Sequence, residues 1–216
     1  MNNNLWDQDR LQQYITDEIE ENLNLDYKAA GALSKNDNKK TEITKDVSAM
    51  ANSAGGIIIY GIKEYQEKAK KYLPESIDPI NRNDISKEWL EQIINNIQPK
   101  ISGIIIHPVK LDLGDDTVAY VVEIPQSTTA HQAQDKKYYK RFNFSSEPMD
   151  DYEIRDIINR AVKPDIEVEI KPKYLRLTKD NRHTWGIEFE ITNLSPQVIN
   201  HFQIVLSIPG INRLYT

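Results

Sequence analysis

The hydrophobic positions of the chain fall into runs of different period, and the period changes mark its elements. Leu11, Tyr14, Ile15 and Ile19 recur at helical spacing and predict an amphipathic helix from Leu5 to about Glu21. Leu23-Asn24-Leu25-Asp26-Tyr27-Lys28 alternates instead. It predicts a strand with Leu23, Leu25 and Tyr27 on one face and Asn24, Asp26 and Lys28 on the other. Residues 29–40 are polar and predict a loop. Thr41 is placed to cap a helix running to about Asn52, with Ile43, Val47 and Met50 or Ala51 facing inward. Ile57 to Ile62 is a short branched apolar run without alternation, the pattern of a central strand covered on both faces. Gly55-Gly56 ahead of it can take the left-handed backbone that closes a helix and turns the chain. Glu64 stands just past the strand's end.

Further along, residues 65–82 are charged and contain proline, predicting a long surface connection. Ser86 caps a helix whose inner stripe is Leu90, Ile93, Ile94 and Ile97, stopped by Pro99. Residues 103–109 and 117–124 read as strands, and Gly114-Asp115-Asp116 between them predicts a hairpin. A polar loop over 127–134 leads to a strand over 137–142. Asp150 or Asp151 then caps a helix to about Val162. From Lys163-Pro164 onward only strand-like alternation remains, over 166–170, 185–192 and 202–208, with a turn at Asn193 to Pro196. The pattern intersperses helices and strands over residues 1–162. The start of an all-β, sandwich-like unit follows over 163–216, with the chain stopping inside it.

Composition narrows the chemistry. The 216 residues contain no cysteine, which removes disulfides, thiolate nucleophiles and zinc–thiolate sites. The polar start Met1-Asn2-Asn3-Asn4 and the lack of a long apolar run predict neither a signal peptide nor a membrane span, so a cytoplasmic location is expected. His107, His131, His183 and His201 lack metal-ligand spacing and read as structural or surface residues. Net charge is −6, and residues 1–27 carry seven acids against Arg10 alone, which leaves the rest formally neutral. Two basic segments stand out there: Lys35, Lys39, Lys40 and Lys45 around the loop, and Lys136-Lys137-Tyr138-Tyr139-Lys140-Arg141. The second interleaves cations with aromatic rings, a pattern suited to phosphate contacts and base stacking. Read structurally, it is an edge strand whose lysines block aggregation.

Glu21, Asp26, Lys28, Ala49 to Gly56, and Ile58-Ile59-Tyr60-Gly61-Ile62 together resemble the Schlafen AlbA-type domain. The pattern there is Glu-x-x-x-x-Glu-Phe-Lys, then a helix ending Ala-x-Ala-Asn with a Gly-Gly turn, then an apolar strand followed by acids. Tyr138 to Arg141, followed by Asn143 to Ser146, is similar to the family's Tyr-x-Arg strand and its small polar turn. The resemblance covers about residues 5–162. It implies an α/β (α+β) fold, a mixed sheet flanked by helices, together with nucleic-acid handling, of RNA or DNA, and in Schlafen relatives a three-carboxylate, divalent-metal site that cleaves structured RNA. The corresponding carboxylates here are Glu21, Asp26 and Glu64, with Mg²⁺ or Mn²⁺ as the hard-oxygen cation and Lys28 beside them as a phosphate contact. Position 26 is Asp where the family has Glu, and Lys63 stands where relatives often have an acid. In relatives two lobes form a horseshoe, so a homo-oligomer is expected.

Geometry sets a condition on that site. Residues five apart on one strand face opposite ways, so Glu21 and Asp26 converge only if the chain bends near Asn22. Otherwise Glu21 is one more acid on an acidic helix, and Asp26 pairs with Lys28 or Lys63. Three functions remain open at this point: a metal-dependent endoribonuclease, a non-catalytic DNA-binding regulator or defence-system sensor, and a protein-interaction scaffold. No G-x-x-x-x-G-K loop is present, so an ATPase lacks its motif.

Overall fold

The computed structural model describes residues 6–160, 165–177 and 183–194. The chain divides into two compact units, Met1–Arg160 and Ala161–Thr216.

In the first unit, Asp7 caps α1 (Gln8–Thr16), its side chain accepting from the Arg10 N–H. The helix is shorter than its apolar spacing predicts because Glu18 turns the chain with a positive φ of 47°. β1 (Leu25–Lys28) is followed by α2 (Asp37–Asn52) and β2 (Gly56–Tyr60). α2 begins before Thr41: the Asn36 side chain accepts from the Lys39 N–H and caps it there. β1 and β2 pair in parallel, with Asp26 opposite Ile58 and Lys28 opposite Tyr60. The connecting helix lies between them in sequence, as a parallel pair requires.

β2 ends at Gly61, whose φ is +105°, and the chain resumes as β3 (Ile62–Glu64). β3 pairs with β4 (Pro74–Ile77), and β5 (Ile80–Asn81) follows. The 65–82 segment is therefore not a plain connection. Its apolar positions Ile77 and Ile80 pack on the core, which its charge and proline content mask. Ser86 caps α3 (Lys87–Ile94) as the sequence predicts. β6 (Ile105–Lys110) and β7 (Thr117–Ile124) form the expected antiparallel pair. The main sheet runs β1-β2-β7-β5, with β6 on β7 as well, so its pairings are parallel and antiparallel.

Both faces of this sheet are covered. Ile58, Tyr60, Tyr120 and Val122 pack with α2 and α3 residues such as Val47, Met50, Leu90 and Ile94. Tyr27, Ile59, Ala119 and Val121 pack on the other face with Trp6 and Leu11. Burying both faces explains the unbroken apolar run of β2. Leu23 lies outside β1 and is exposed, contrary to the alternation pattern. β8 (Tyr139–Phe142) forms a separate hairpin with β9 (Ser145–Pro148), and α4 (Asp151–Arg160) closes the unit.

The second unit contains β10 (Ile166–Leu177) and β11 (His183–Asn193), paired antiparallel with a register shift between Tyr174 and Arg176. Lys171 and Lys173 bridge Glu190 and Glu188 across the ladder. The turn residues Ser195-Pro196 and the strand predicted over 202–208 lie outside the described residues, as do Leu5 and Val162.

Candidate nucleic-acid interface and its acidic cluster

The chain does bend where the acidic motif needs it to. Asn22 and Leu25 exchange backbone hydrogen bonds, closing a tight turn between α1 and β1. The turn lets Glu21 fold back onto the strand that carries Asp26. The Glu21 carboxyl accepts from the Tyr27 N–H at 2.6 Å and is 4% exposed. Asp26 is fully buried. Arg141 of β8 donates to its Oδ1 at 2.8 Å, and the Lys28 ammonium lies 2.5 Å from its Oδ2. Lys28 also faces Asp46 of α2 at 3.9 Å, and Ser146 donates to Asp46 Oδ1 at 2.8 Å. Lys63 pairs with Glu75 instead of Asp26.

Protonation follows from this packing. Burial, with the Asp26 charge alongside, pushes the Glu21 carboxyl up to about 9, so it is neutral near pH 7. Burial also works against an ionised Asp26, but Lys28 and Arg141 outweigh it and hold Asp26 below its ordinary value. Burial raises Glu64 and Asp46 as well, opposed in each case by Lys28. Lys28 is itself disfavoured by burial, yet Asp26 and Asp46 hold its proton more firmly than usual. Glu64, at the end of β3 and half-buried, is within the field of Glu21 and Asp26.

The donor chemistry of Glu21, Asp26 and Glu64 suits a hard cation, but their placement does not present three carboxylates to one ion. Both Asp26 oxygens face Lys28 and Arg141. Among the described residues no group of three His, Cys, Asp or Glu side chains lies close enough to hold a metal. As arranged, the resident cations of the cluster are an ammonium and a guanidinium.

The two basic segments belong to adjoining elements. β8 packs along α2: Arg141 N–H donates to Ser53 Oγ, Gln134 N–H donates to Thr44 Oγ1, and Lys45 lies over the Tyr139 ring. Their side chains divide into two groups. Lys40 pairs with Asp37, Lys45 with Glu42, Lys140 with Glu153, and Arg141 is buried on Asp26. Lys35, Lys39, Lys136 and Lys137 are exposed and have no ion-pair partner among the described residues. Tyr139 is buried against Ala49 and Ala133, and its hydroxyl donates to Asp135, so it offers no stacking face. Tyr138 is half-buried, and Phe142, absent from the sequence-based candidates, presents an exposed ring.

Residues outside the predicted site set hold this arrangement together. Asn52 at the end of α2 donates to the carbonyls of His131 and Tyr139, and accepts from the His131 N–H. Those bonds fasten β8 and the loop before it to the helix. Gly55 and Gly56 follow with φ of 73° and 155°. A Cβ on Gly55 would lie 2.6 Å from Gln126 N, and one on Gly56 would lie 2.5 Å from Asn24 O. Only glycine permits this turn between helix and strand.

These are the features that the acidic motif, the Ala-Asn helix end and the Gly-Gly turn carry in sequence. The profile of the family described as Schlafen, AlbA_2 matches residues 21–150, more than half of the 216 residues. The chain belongs to the Schlafen AlbA_2 family. The match begins at Glu21 and takes in the whole acidic cluster, α2, the glycine turn and the β8–β9 hairpin of this AlbA_2 domain. No curated protein matches the sequence significantly. Among solved structures, the domain is similar to the DIP2311 protein from Corynebacterium diphtheriae, with 14% identity and a TM-score of 0.43. That similarity covers 70% of this chain and 31% of the other, so this chain spans about a third of that protein's length. Among the described residues no helix is long and apolar enough to cross a membrane.

Proposed function

We propose that the AlbA_2 domain of this protein binds nucleic acid through the surface formed by α2 and the β8 hairpin. The observation that carries the reading is the buried Asp26–Arg141 pair. It anchors β8 from beneath and so supports the loop leading into it, on which Lys136 and Lys137 are exposed. Lys35, Lys39, Lys136 and Lys137 supply phosphate contacts, and the half-buried Tyr138 and exposed Phe142 supply rings for bases. The overall charge of −6 keeps non-specific association low and confines binding to this patch.

The test is binding of labelled RNA and DNA oligonucleotides over a salt series. Removing Lys136 and Lys137 together (both to Gln) is expected to flatten the slope of log K against log salt by about 0.7 to 0.9 per lost phosphate contact. An unchanged slope overturns this assignment of the surface. Failure of the wild type to bind any oligonucleotide favours the protein-interaction scaffold.

A second reading is a divalent-metal-dependent endoribonuclease that uses Glu21, Asp26 and Glu64 with Mg²⁺ or Mn²⁺. The convergence of Glu21 and Asp26 around the Asn22 turn supports it, since a cation would replace the proton on Glu21. It requires Lys28 to leave Asp26. Cleavage of structured RNA with Mn²⁺, abolished by chelator and by Glu21→Ala/Asp26→Ala, would establish it. Metal-independent binding without cleavage leaves a DNA- or RNA-binding regulator or defence-system sensor. A homodimer would supply a second lobe for a longer groove, and sedimentation at several concentrations reads it directly.

A further inference from the structure

Between β1, β2 and α2 lies a recess of about 110 Å³, lined by Lys28, Ala32, Lys39, Glu42, Ile43, Asp46 and Tyr60. The volume suits a few waters or one compact tetrahedral group, and falls well short of the roughly 300 Å³ or more that larger organic ligands occupy. Its polar walls are specific. Lys28 and Tyr60 stand opposite each other on the parallel strands β1 and β2. Tyr60 is 1% exposed, and its hydroxyl has no hydrogen-bond partner among the described residues. A buried hydroxyl without a partner is costly, and one aimed into a polar recess marks a place where something accepts its hydrogen bond. Lys39 brings a cation with no ion-pair partner among the described residues. The two acids in the wall are already engaged. Glu42 pairs with Lys45, and Asp46 accepts from Ser146 and faces Lys28. The donors in the wall are the Tyr60 hydroxyl and the Lys39 ammonium, together with the Lys28 ammonium, which Asp26 already holds at 2.5 Å.

We infer that this recess is a binding site for a single phosphate group, either the terminal phosphate of a nucleic-acid strand or free inorganic phosphate. The inference rests on the nucleic-acid reading above for the first source and is independent of it for the second. A phosphate offers acceptor oxygens to all three donors at once. A continuous backbone phosphodiester, flanked by sugar on both sides, does not fit a recess of this size.

Tyr60→Phe is the discriminating variant. It removes only the hydroxyl, and loss of an unpartnered buried hydroxyl leaves the fold as stable as before or slightly more so. Two measurements are made on the full chain. The first is the shift in thermal midpoint with inorganic phosphate against chloride at equal ionic strength. The second is the affinity for one short oligonucleotide carrying a 5′-phosphate, a 3′-phosphate or hydroxyl ends. The expected result is a phosphate-dependent rise in midpoint that Tyr60→Phe and Lys39→Gln both weaken, with affinity for phosphate falling about tenfold in Tyr60→Phe. Preference for one phosphorylated end, lost in Tyr60→Phe, identifies the strand terminus as the source. A midpoint shift without end preference identifies the free anion. No shift and no end preference overturns the site, as does a shift that both variants retain in full. If the hydroxyl-ended oligonucleotide binds throughout, the nucleic-acid reading survives that failure. If it never binds while phosphate does, the site stands and that reading falls.

Discussion

Glu21 holds a proton in the folded protein that the unfolded chain releases near pH 4.5, and replacing it with glutamine isolates the effect. Burial and the neighbouring Asp26 raise the carboxyl from 4.5 to about 9. Between those values the folded state binds about one proton more than the unfolded chain. Stability therefore falls as pH rises, by about 1.4 kcal/mol per unit. The contribution is complete below pH 4.5 and gone above about 9, a span that caps the total at about 6 kcal/mol. Asp26 acts in the opposite sense, because its depressed value contributes stability that is lost as pH falls, and it does so below this window. Glutamine mimics the protonated acid. Its carbonyl can accept from the Tyr27 N–H, as Glu21 Oε1 does at 2.6 Å, and its amide can donate toward Asp26. Urea denaturation of Glu21→Gln and wild type from about pH 5 to about pH 9 should give a difference curve that slopes by about 1.4 kcal/mol per unit in the variant's favour. Parallel curves would refute the buried neutral carboxyl, and with it the idea that a cation displaces a proton there.

Arg141→Met leaves Asp26 buried with Lys28 alone and should cost about 3 to 5 kcal/mol, read as a lower urea midpoint. Asp26→Asn/Arg141→Met should recover part of that loss, and a double variant as unstable as the sum of both singles would show that the two do not interact. Gly56→Ala drives a Cβ to 2.5 Å from Asn24 O at a backbone φ of 155°, and should cost about 3 kcal/mol or more, with loss of soluble expression as the first sign.

The fold was largely legible because its core strands and helices carry strong periodic signals. Ile57 to Ile62 could be assigned to a doubly covered strand from apolarity alone. The β3–β4 pair was hidden for the opposite reason: most of its residues are polar or charged, and Ile62, Pro74 and Ile77 are its few apolar packing positions. At the site, the Asn22 bend could be stated as a requirement but not deduced, since it depends on a backbone turn without glycine or proline. Charge counting misplaced Arg141. A guanidinium in a basic run reads as surface, and its burial shows only when Asp26 comes from a strand 115 residues away. Asp46 did leave a trace: it falls on the same inward stripe of α2 as Ile43 and Met50, where an acid needs a partner.

β7 pairs with β2, β5 and β6, all of which precede it in the chain. During synthesis the ribosome therefore releases three strands before the one that joins them. Until Thr117–Ile124 emerges, the main sheet consists of the β1–β2 pair alone, with the apolar edge of β2 open to solvent. A nascent chain stalled short of β7 is thus the species most in need of a chaperone. Passage of that one strand from the exit tunnel turns an aggregation-prone intermediate into the complete five-stranded sheet.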